Sequence, residues 1–220
     1  MKKKELLKQL IAGFQAGLPV EVYPRELMLP VDSNKIITVP GVRRCGKSSL
    51  FLLVINQLIS EKGIRKEQIL FLNCDDERLQ FDAENFDEIL QAYRELYPDI
   101  SLKDVYMFFD EIQMAEDWQP FVHRVYEQEC RHIFITGSNS NMLSSELATS
   151  LRGRTLQYEE FPLSFREYCS FVGVDTNYYV PEYKARIVNA FKVYLHQGGF
   201  PEVSLAIPML KDRILQQYFF

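Results

Sequence analysis

The stretch VPGVRRCGKSSL, residues 39–50, decides how the rest of this sequence is interpreted. Gly41 and Gly46 stand five residues apart and are followed by Lys47 and Ser48, which satisfies the pattern G-x-x-x-x-G-K-[ST]. Glycines permit backbone angles and a close approach that a side chain would block, so successive N–H groups can converge on phosphate oxygens. Apolar segments on both sides are typical of a strand before the loop and a helix after it. The sequence therefore predicts a phosphate-binding loop.

The fixed positions of this loop have predicted roles. Lys47 would place its ammonium group on the outer phosphates, and the Ser48 hydroxyl would be a ligand of Mg²⁺. Arg43 and Arg44 either add phosphate contacts or remain solvated charges, and the sequence leaves both alternatives open. The residues predicted to bind the nucleotide here are Gly41, Val42, Arg43, Arg44, Cys45, Gly46, Lys47, Ser48 and Ser49.

A pair of acidic residues ends the second informative stretch, VYMFFDEIQ at residues 105–113. A carboxylate at the end of a buried strand usually holds nucleotide-bound Mg²⁺ through water, which is the role predicted for Asp110. Glu111, one residue further on, is predicted to polarise the attacking water as a general base. The alternative is that two acidic residues simply begin a turn. The glycine-rich loop upstream favours the catalytic interpretation.

Apolar runs and helical spacing alternate through the first two thirds of the chain. Strands are predicted at 35–39, 68–73, 105–110 and 132–137, with a fifth at 155–161, and helices at 48–59, 84–96 and 118–129. Strands that alternate with helices predict parallel pairing, with helices on both faces of the sheet. The expected fold class is therefore α/β.

The character of the sequence changes near residues 161–164, after which three helix-like segments follow without strands. The first residues, MKKKELLKQLIAGF, have the spacing of an amphipathic helix rather than of a secretory signal. We expect an N-terminal helix and lead-in at 1–34, an α/β core at 35–161 and a small helical lid at 162–220. Because the final YFF is apolar and lies inside a helical pattern, we expect this lid to be incomplete.

Charge and composition limit the classes of partner. A formal net charge of −5 provides no global field that would attract nucleic acid or an anionic membrane, so any such contact would have to be local. The four cysteines lie far apart, unlike the close pairs of zinc sites and disulfide frameworks. No run approaches the ~18 apolar residues of a membrane span. We expect a cytoplasmic protein without membrane contact, and nucleic-acid binding stays open.

A further strand separates the loop strand from the acidic strand, because the interval from Lys47 to Asp110 contains helix, strand and helix. With Glu111 added, this arrangement resembles the additional-strand group of P-loop ATPases (AAA+, RecA-like and STAND) rather than nucleotide kinases or small GTPases. The absence of an NKxD-like guanine signature favours ATP. In that group the next strand lies between the loop strand and the acidic strand, with its tip facing the γ-phosphate. The resemblance implies that Ser138 or Asn139, in TGSNSN, senses the phosphate.

The segment SLRGRT offers two candidate catalytic arginines, Arg152 and Arg154. An arginine that reaches a transferring phosphate can accelerate the reaction ~10³-fold or more. Surface arginines that do nothing of this kind are the alternative. The sequence leaves open whether either residue would act within its own chain or on a second copy.

Several motifs occur in a fixed order across residues 36–203: GVRRCGKSSL, FFDEIQ followed by Trp118, FITGSNSNML, LRGRT, EEFPLSFREY and LHQGGFPE. This set resembles the bacterial and archaeal AAA+-superfamily ATPases with a GxRRxGKT-type loop, although Val42 replaces the usual proline and Ser48 the commoner threonine. The resemblance implies a RecA-like core, a helical lid and a further C-terminal domain. It also implies that GGFP works like the glycine-proline motif of STAND ATPases, with Pro201 against the adenine. From the residues alone, GGFP is a turn that starts a helix.

Together these features predict an enzyme that hydrolyses Mg-ATP to ADP and phosphate and couples this to conformational change. One alternative is a slow, STAND-like switch or scaffold that signals to a partner, and a minor one is phosphoryl transfer to another acceptor. A protein partner or self-association stays open. The predicted catalytic residues are Lys47, Glu111, Ser138, Arg152 and Arg154, the metal residues are Ser48 and Asp110, and Asn139 and Pro201 join the loop in binding nucleotide.

Overall fold

The computed structural model describes residues 3–79, 86–138, 151 and 153–219, and the chain divides into two compact units. The sheet unit comprises Met1–Val22, Leu29–Gly41 and Lys47–Glu159, and the helical unit comprises Tyr23–Met28, Val42–Gly46 and Glu160–Phe220. The glycine-rich loop is therefore divided in sequence. Its first glycine and its lysine belong to the sheet unit, whereas the residues between them belong to the helical unit.

Five parallel strands form the sheet of the sheet unit, in the order β2-β3-β4-β1-β5. They are β1 Ile36–Pro40, β2 Ile69–Asn73, β3 Tyr106–Asp110, β4 His132–Gly137 and β5 Thr155–Gln157. Every residue of β1 and β3 is buried, as expected for parallel strands whose two faces are both covered. The predicted α/β class is confirmed, and β4 lies between β1 and β3 as expected.

Helices cover both faces of this sheet. The sheet unit contains α1 Lys3–Ala16, α2 Lys47–Lys62, α3 Asp87–Leu96 and α4 Trp118–Gln128. The ring of Phe51 in α2 packs edge-on against Phe108 of β3, with 5.2 Å between centroids. The ring of Phe121 in α4 packs against Phe109, the next residue of β3, at 6.0 Å. Because successive side chains of a strand point to opposite faces, α2 and α4 lie on opposite sides of the sheet.

The fifth strand is shorter than the sequence analysis predicted, since it ends at Gln157 rather than near residue 161. One further ladder-like bond follows it, in which Tyr158 N donates to Thr38 O at 2.9 Å. From Glu160 onward the chain belongs to the helical unit. The pairing with β1 therefore stops where the chain leaves the sheet.

The helical unit contains α5 Phe165–Phe171, α6 Pro181–Gln197, α7 Pro201–Leu205 and α8 Pro208–Phe219. A capping box opens α5: the Ser164 hydroxyl accepts from Glu167 N, and the Glu167 carboxylate accepts from Ser164 N. Prolines occupy the first turn of α6 and α7, where a missing N–H costs nothing. No helix in the described part of the chain combines the length and hydropathy needed to cross a bilayer.

Candidate functional site

Three strands of the sheet unit end side by side at one edge, which we call the carboxyl edge. β1 ends at Pro40, β3 at Asp110 and β4 at Gly137. Gly41 N, just after β1, donates to Gly137 O at 3.3 Å, so the tips of β1 and β4 stay in register. In open parallel sheets ligands bind outside the carboxyl ends of the strands, so this is the edge where chemistry is expected.

Asp110 is the last residue of β3 and is 4% exposed. Its two oxygens accept from different hydroxyls: Ser48 Oγ donates to Oδ2 at 2.5 Å, and Thr136 Oγ1 donates to Oδ1 at 2.5 Å. Burial raises the pKa of Asp110, although both hydroxyl bonds oppose that shift. The structure thus brings Ser48 and Asp110 together, and it adds Thr136 of β4, which gave no motif signal in the sequence.

The pair formed by Ser48 and Asp110 fits a magnesium ion. Both contribute oxygen, the donor that Mg²⁺ prefers, and Mg²⁺ on nucleotides is usually held by one or two protein groups together with substrate phosphates and waters. Because Thr136 fixes the other Asp110 oxygen, the oxygen directed at Ser48 keeps a defined orientation.

Glu111 follows in the left-handed conformation, with φ 50° and ψ 46°, so the chain turns sharply as β3 ends. Its Oε2 accepts from Gln113 Nε2 at 2.6 Å and from Ser138 N at 3.0 Å. Its Oε1 lies 3.2 Å from Lys47 Nζ. Burial alone would raise the pKa of Glu111, but the bond from Gln113 and the charge of Lys47 outweigh it and hold the pKa below its ordinary value. The carboxylate is therefore kept charged.

Lys47, the first residue of α2, is only 3% exposed. Besides its ion pair with Glu111, its ammonium group donates to Gly41 O at 3.1 Å. The ammonium therefore lies between the first glycine of the loop and the acidic tip of β3. The structure places Lys47, Glu111 and Ser138 in one hydrogen-bonded group.

The loop residues of the helical unit have the special backbone that the pattern predicts. Arg44 has φ 67° and Gly46 has φ 111°, and the latter value strongly favours glycine. Cys45 is fully buried, and its thiol donates to Glu160 O at 3.4 Å. Val42 and Arg43 are exposed.

Arg25 is a residue of this region that the sequence analysis missed. Its side chain is 4% exposed. Nη1 donates to Cys45 O at 2.9 Å, and Nη2 donates to Phe161 O at 2.8 Å. Nε donates to Glu167 at 2.9 Å, and Nη2 forms an ion pair with Glu160. A lone arginine sixteen residues before the loop carries no sequence signal for this role.

The same guanidinium gives Gly46 a second reason to be glycine. A Cβ at this position would lie 2.5 Å from Arg25 Nη1, which is closer than real Cβ atoms approach anything. The Cγ of Pro201, at the start of α7, would lie 3.8 Å from that Cβ. The predicted adenine contact, Pro201, is therefore a neighbour of the loop within the helical unit.

Arg44, for which the sequence left open a phosphate contact or a solvated charge, has a side chain that is 47% exposed. Its guanidinium lies 3.4 Å from Glu202 Oε2 and 4.7 Å from the centroid of the Tyr218 ring. Tyr218 Oη in turn donates to Glu202 at 2.5 Å. The loop arginine is thus engaged with α7 and α8 of the helical unit.

The structure does not bring Arg154 to the carboxyl edge. Arg154 precedes β5, and its carbonyl accepts from Ile36 N, the first residue of β1, at 2.9 Å. It therefore lies at the opposite edge of the parallel sheet, where its Nε donates to Glu127 at 2.6 Å. Arg152 and Asn139 lie outside the described residues. Ser49 is exposed on α2.

Comparisons with known proteins match this chain to a family model and to two longer relatives. A family model for the AAA domain matches residues 33–169. An "Uncharacterized protein" of Haemophilus influenzae is 37% identical over 208 residues, which cover 93% of this chain and 49% of the relative. The "Uncharacterized protein MJ1544" of Methanocaldococcus jannaschii is 34% identical over 222 residues, covering 98% of this chain and 47% of the relative. The chain thus spans about half the length of these relatives.

Among solved structures, that of C. elegans PCH-2 aligns with 86% of this chain and 46% of its own, at 16% identity and a TM-score of 0.40. That score is too low to support any comparison of function. The family model, in contrast, matches more than half of the chain and includes the loop, β3 and β4. On this ground the chain belongs to the AAA domain family.

Proposed function

We propose that this protein binds Mg-ATP through a Walker A loop at residues 41–48 and hydrolyses it to ADP and phosphate. Membership of the AAA domain family supports ATP binding and hydrolysis. The observation that carries the proposal is the convergence of Ser48, Asp110, Lys47 and Glu111 at the carboxyl edge, within 2.5 Å for the first pair and 3.2 Å for the second. These are the metal, phosphate and base groups that such a reaction needs.

Each group has one task. Lys47 binds the outer phosphates, and Ser48 and Asp110 would hold Mg²⁺, which would neutralise negative charge on the phosphates. Glu111 accepts a proton as the water oxygen bonds to the γ-phosphorus. The bond to the β–γ bridging oxygen breaks, ADP leaves with that electron pair, and the proton passes on to phosphate or solvent. Pro201, a neighbour of Gly46, is proposed to contact the adenine.

Glu111→Gln tests the proposal, because the amide keeps the shape of the side chain but is no base. ATP affinity, measured by isothermal titration with Mg²⁺, should stay within about twofold, whereas turnover should fall about 10²-fold or more. Glu116→Gln, at an exposed acidic position five residues further on, is the matched control and should hydrolyse ATP normally. Titrations of ATP, ADP and GTP with and without Mg²⁺ test base and metal preference. Unchanged turnover in Glu111→Gln would remove the assignment of the base.

The second candidate function is a slow, STAND-like nucleotide-dependent switch. It is favoured by the contacts of Arg44, a loop residue, with Glu202 and Tyr218, since a nucleotide that draws Arg44 to its phosphates would change the packing of α7 and α8. Tightly bound ADP in the purified protein, together with negligible steady-state turnover, would support the switch. Rapid multiple turnover would support the hydrolase.

A catalytic role for Arg154 would require a second copy of the chain, because this residue lies at the opposite edge of the sheet from Glu111. Specific activity that rises with protein concentration, and falls in Arg154→Ala, would support such a role. Activity that is strictly linear in concentration would contradict it.

A further inference from the structure

The short 3₁₀ turn Ile112–Met114 places Gln113 beside the proposed base. Gln113 Nε2 donates to Glu111 Oε2 at 2.6 Å and to Ser138 Oγ at 3.2 Å. One amide group therefore joins the tip of β3 to the residue that follows β4. Gln113 is the last residue of the motif FFDEIQ, but the motif assigned it no role.

The neighbouring Glu111 carboxylate determines how the Gln113 amide is oriented. If the amide were turned over, its carbonyl oxygen would face the Glu111 carboxylate, and two acceptors would repel each other. In the orientation observed, Gln113 Oε1 is buried and has no hydrogen-bond partner among the residues that the structure describes. Leaving a buried acceptor unsatisfied costs about 1–3 kcal/mol. The two donated bonds are therefore what hold the side chain in this place.

The two oxygens of Glu111 have different partners. Oε2 is held by Gln113 and by Ser138 N, which lie just after β3 and β4. Oε1 faces Lys47, the residue proposed to bind the phosphates. When a phosphate group binds the Lys47 ammonium, Glu111 Oε1 loses its ion-pair partner, whereas Oε2 keeps its bonds from Gln113 and Ser138 N. The carboxylate would then present one oxygen to water in an orientation set by the other.

We propose that Gln113 is a positioning residue that holds Glu111 by Oε2, so that Oε1 accepts the proton of the attacking water. This inference rests on the proposed hydrolysis of ATP. Gln113 itself neither gives nor takes a proton: the proton moves from water to Glu111 Oε1, the water oxygen bonds to the γ-phosphorus, and ADP leaves with the electrons of the broken bond. The left-handed backbone of Glu111 makes such support necessary, because a strained residue keeps its geometry only when its surroundings over-determine it.

Two substitutions remove the donated bond in different ways. Gln113→Met keeps the length but no hydrogen bonds, and Gln113→Glu keeps the shape but can only accept at neutral pH. In both variants kcat should fall about tenfold or more, while the ATP dissociation constant from titration calorimetry stays within about twofold. Gln57→Met is the matched control, since Gln57 also donates to a carboxylate, that of Glu61 at 3.0 Å, but this hydrogen bond is exposed. Wild-type kcat in folded Gln113→Met or Gln113→Glu would overturn the inference.

A double variant separates positioning from a general structural role. If Gln113 acts through Glu111, single-turnover hydrolysis by Glu111→Gln/Gln113→Met should equal that of Glu111→Gln alone. A further tenfold loss in the double variant would show an independent effect and would overturn the inference. Turnover in Glu111→Gln equal to wild type would instead contradict the proposed base itself, so failure of the function and failure of this inference give different results.

Discussion

Each unit of this protein contains a buried cation paired with a carboxylate, but one cation is an ammonium group and the other is a guanidinium. In the sheet unit, the Lys47 ammonium forms an ion pair with Glu111 at 3.2 Å and donates to the carbonyl oxygen of Gly41. In the helical unit, the Arg25 guanidinium engages Glu160, Glu167 and two carbonyl oxygens through three nitrogens. An ammonium group is a point charge that changes partners easily, whereas a guanidinium fork is fixed by its geometry. The Lys47 arrangement is therefore suited to exchanging its carboxylate partner for a phosphate, whereas the Arg25 arrangement is suited to supporting the loop.

Arg25→Ala should have the largest effect, because it leaves two buried carboxylates without their cation. We expect the free energy of unfolding to fall by about 3–5 kcal/mol, as measured by chemical denaturation of the full chain. Arg25→Lys should recover part of this loss, since lysine restores the charge but not the fork.

The control for Arg25 is Arg186→Ala, which removes an exposed ion pair with Glu182. Exposed pairs of this kind contribute little, so the denaturation midpoint should not move measurably. Equal stability of Arg25→Ala and Arg186→Ala would show that the cluster around Arg25 is not a support.

Lys47→Ala should act on nucleotide rather than on folding. ATP affinity should fall about 100-fold or more, because a charge-assisted contact to phosphate is lost. Glu111 would still be held by Gln113 and Ser138 N, so the denaturation midpoint should move less than in Arg25→Ala. Lys62→Ala, at the last residue of the same helix, should bind ATP normally. Calorimetric titration of ATP into both variants measures these affinities. Wild-type affinity in Lys47→Ala would refute the proposal that Lys47 exchanges Glu111 for a phosphate.

Gly46→Ala tests the arrangement around Arg25 from the side of the loop, because the added side chain would contact the Arg25 guanidinium. Alanine is strained at φ 111°, and its Cβ would press on Arg25 Nη1, so stability should fall by about 2 kcal/mol. Gly63→Ala, at φ 66° with nothing within 4 Å of the added Cβ, should lose about 1 kcal/mol. Equal losses in the two variants would mean that the Arg25 contact adds nothing.

Acidification should weaken the helical unit through Glu167. Burial would raise the pKa of this carboxyl, but the bonds from Glu26 N, Arg25 and Ser164 N hold it below the ordinary value of 4.5. A lowered folded-state pKa contributes stability above the unfolded pKa and loses it as pH falls through the folded value. The effect therefore lies below about pH 4.5. Thermal melts of Glu167→Gln should show a flatter pH profile that converges on wild type in acid, and parallel profiles would refute this.

Much of the fold followed from the chain alone. The strand expected at 105–110 is β3 Tyr106–Asp110, and the one expected at 132–137 is β4 His132–Gly137. These predictions succeed because buried parallel strands are short apolar runs whose pattern needs no knowledge of their neighbours. The fifth strand was predicted too long, because where β5 ends depends on where its partner β1 stops pairing.

The structure brings some of the predicted site residues together and not others. The difference again depends on whether the local pattern of the chain fixes a residue's position. Ser48, Asp110 and Glu111 come together because they stand at fixed positions after buried strands, and parallel strands end at one edge. Arg154 was predicted from the segment SLRGRT, whose distance along the chain from the other motifs does not say which edge it reaches, and the structure places it at the other edge. Gln113 lies inside the quoted motif FFDEIQ, but its contact with Ser138 depends on the neighbouring strand.

The sequence by itself determined the glycine-rich loop, the acidic strand end and the α/β class, because spacing along the chain governs turns, helix starts and strand burial. Only the tertiary structure decided that Thr136 and Gln113 hold the two acidic side chains and that Arg25 holds the loop. Arg25 and Glu167 are 142 residues apart in the chain. A contact over such a distance depends on how whole elements pack, and no local pattern of residues encodes it.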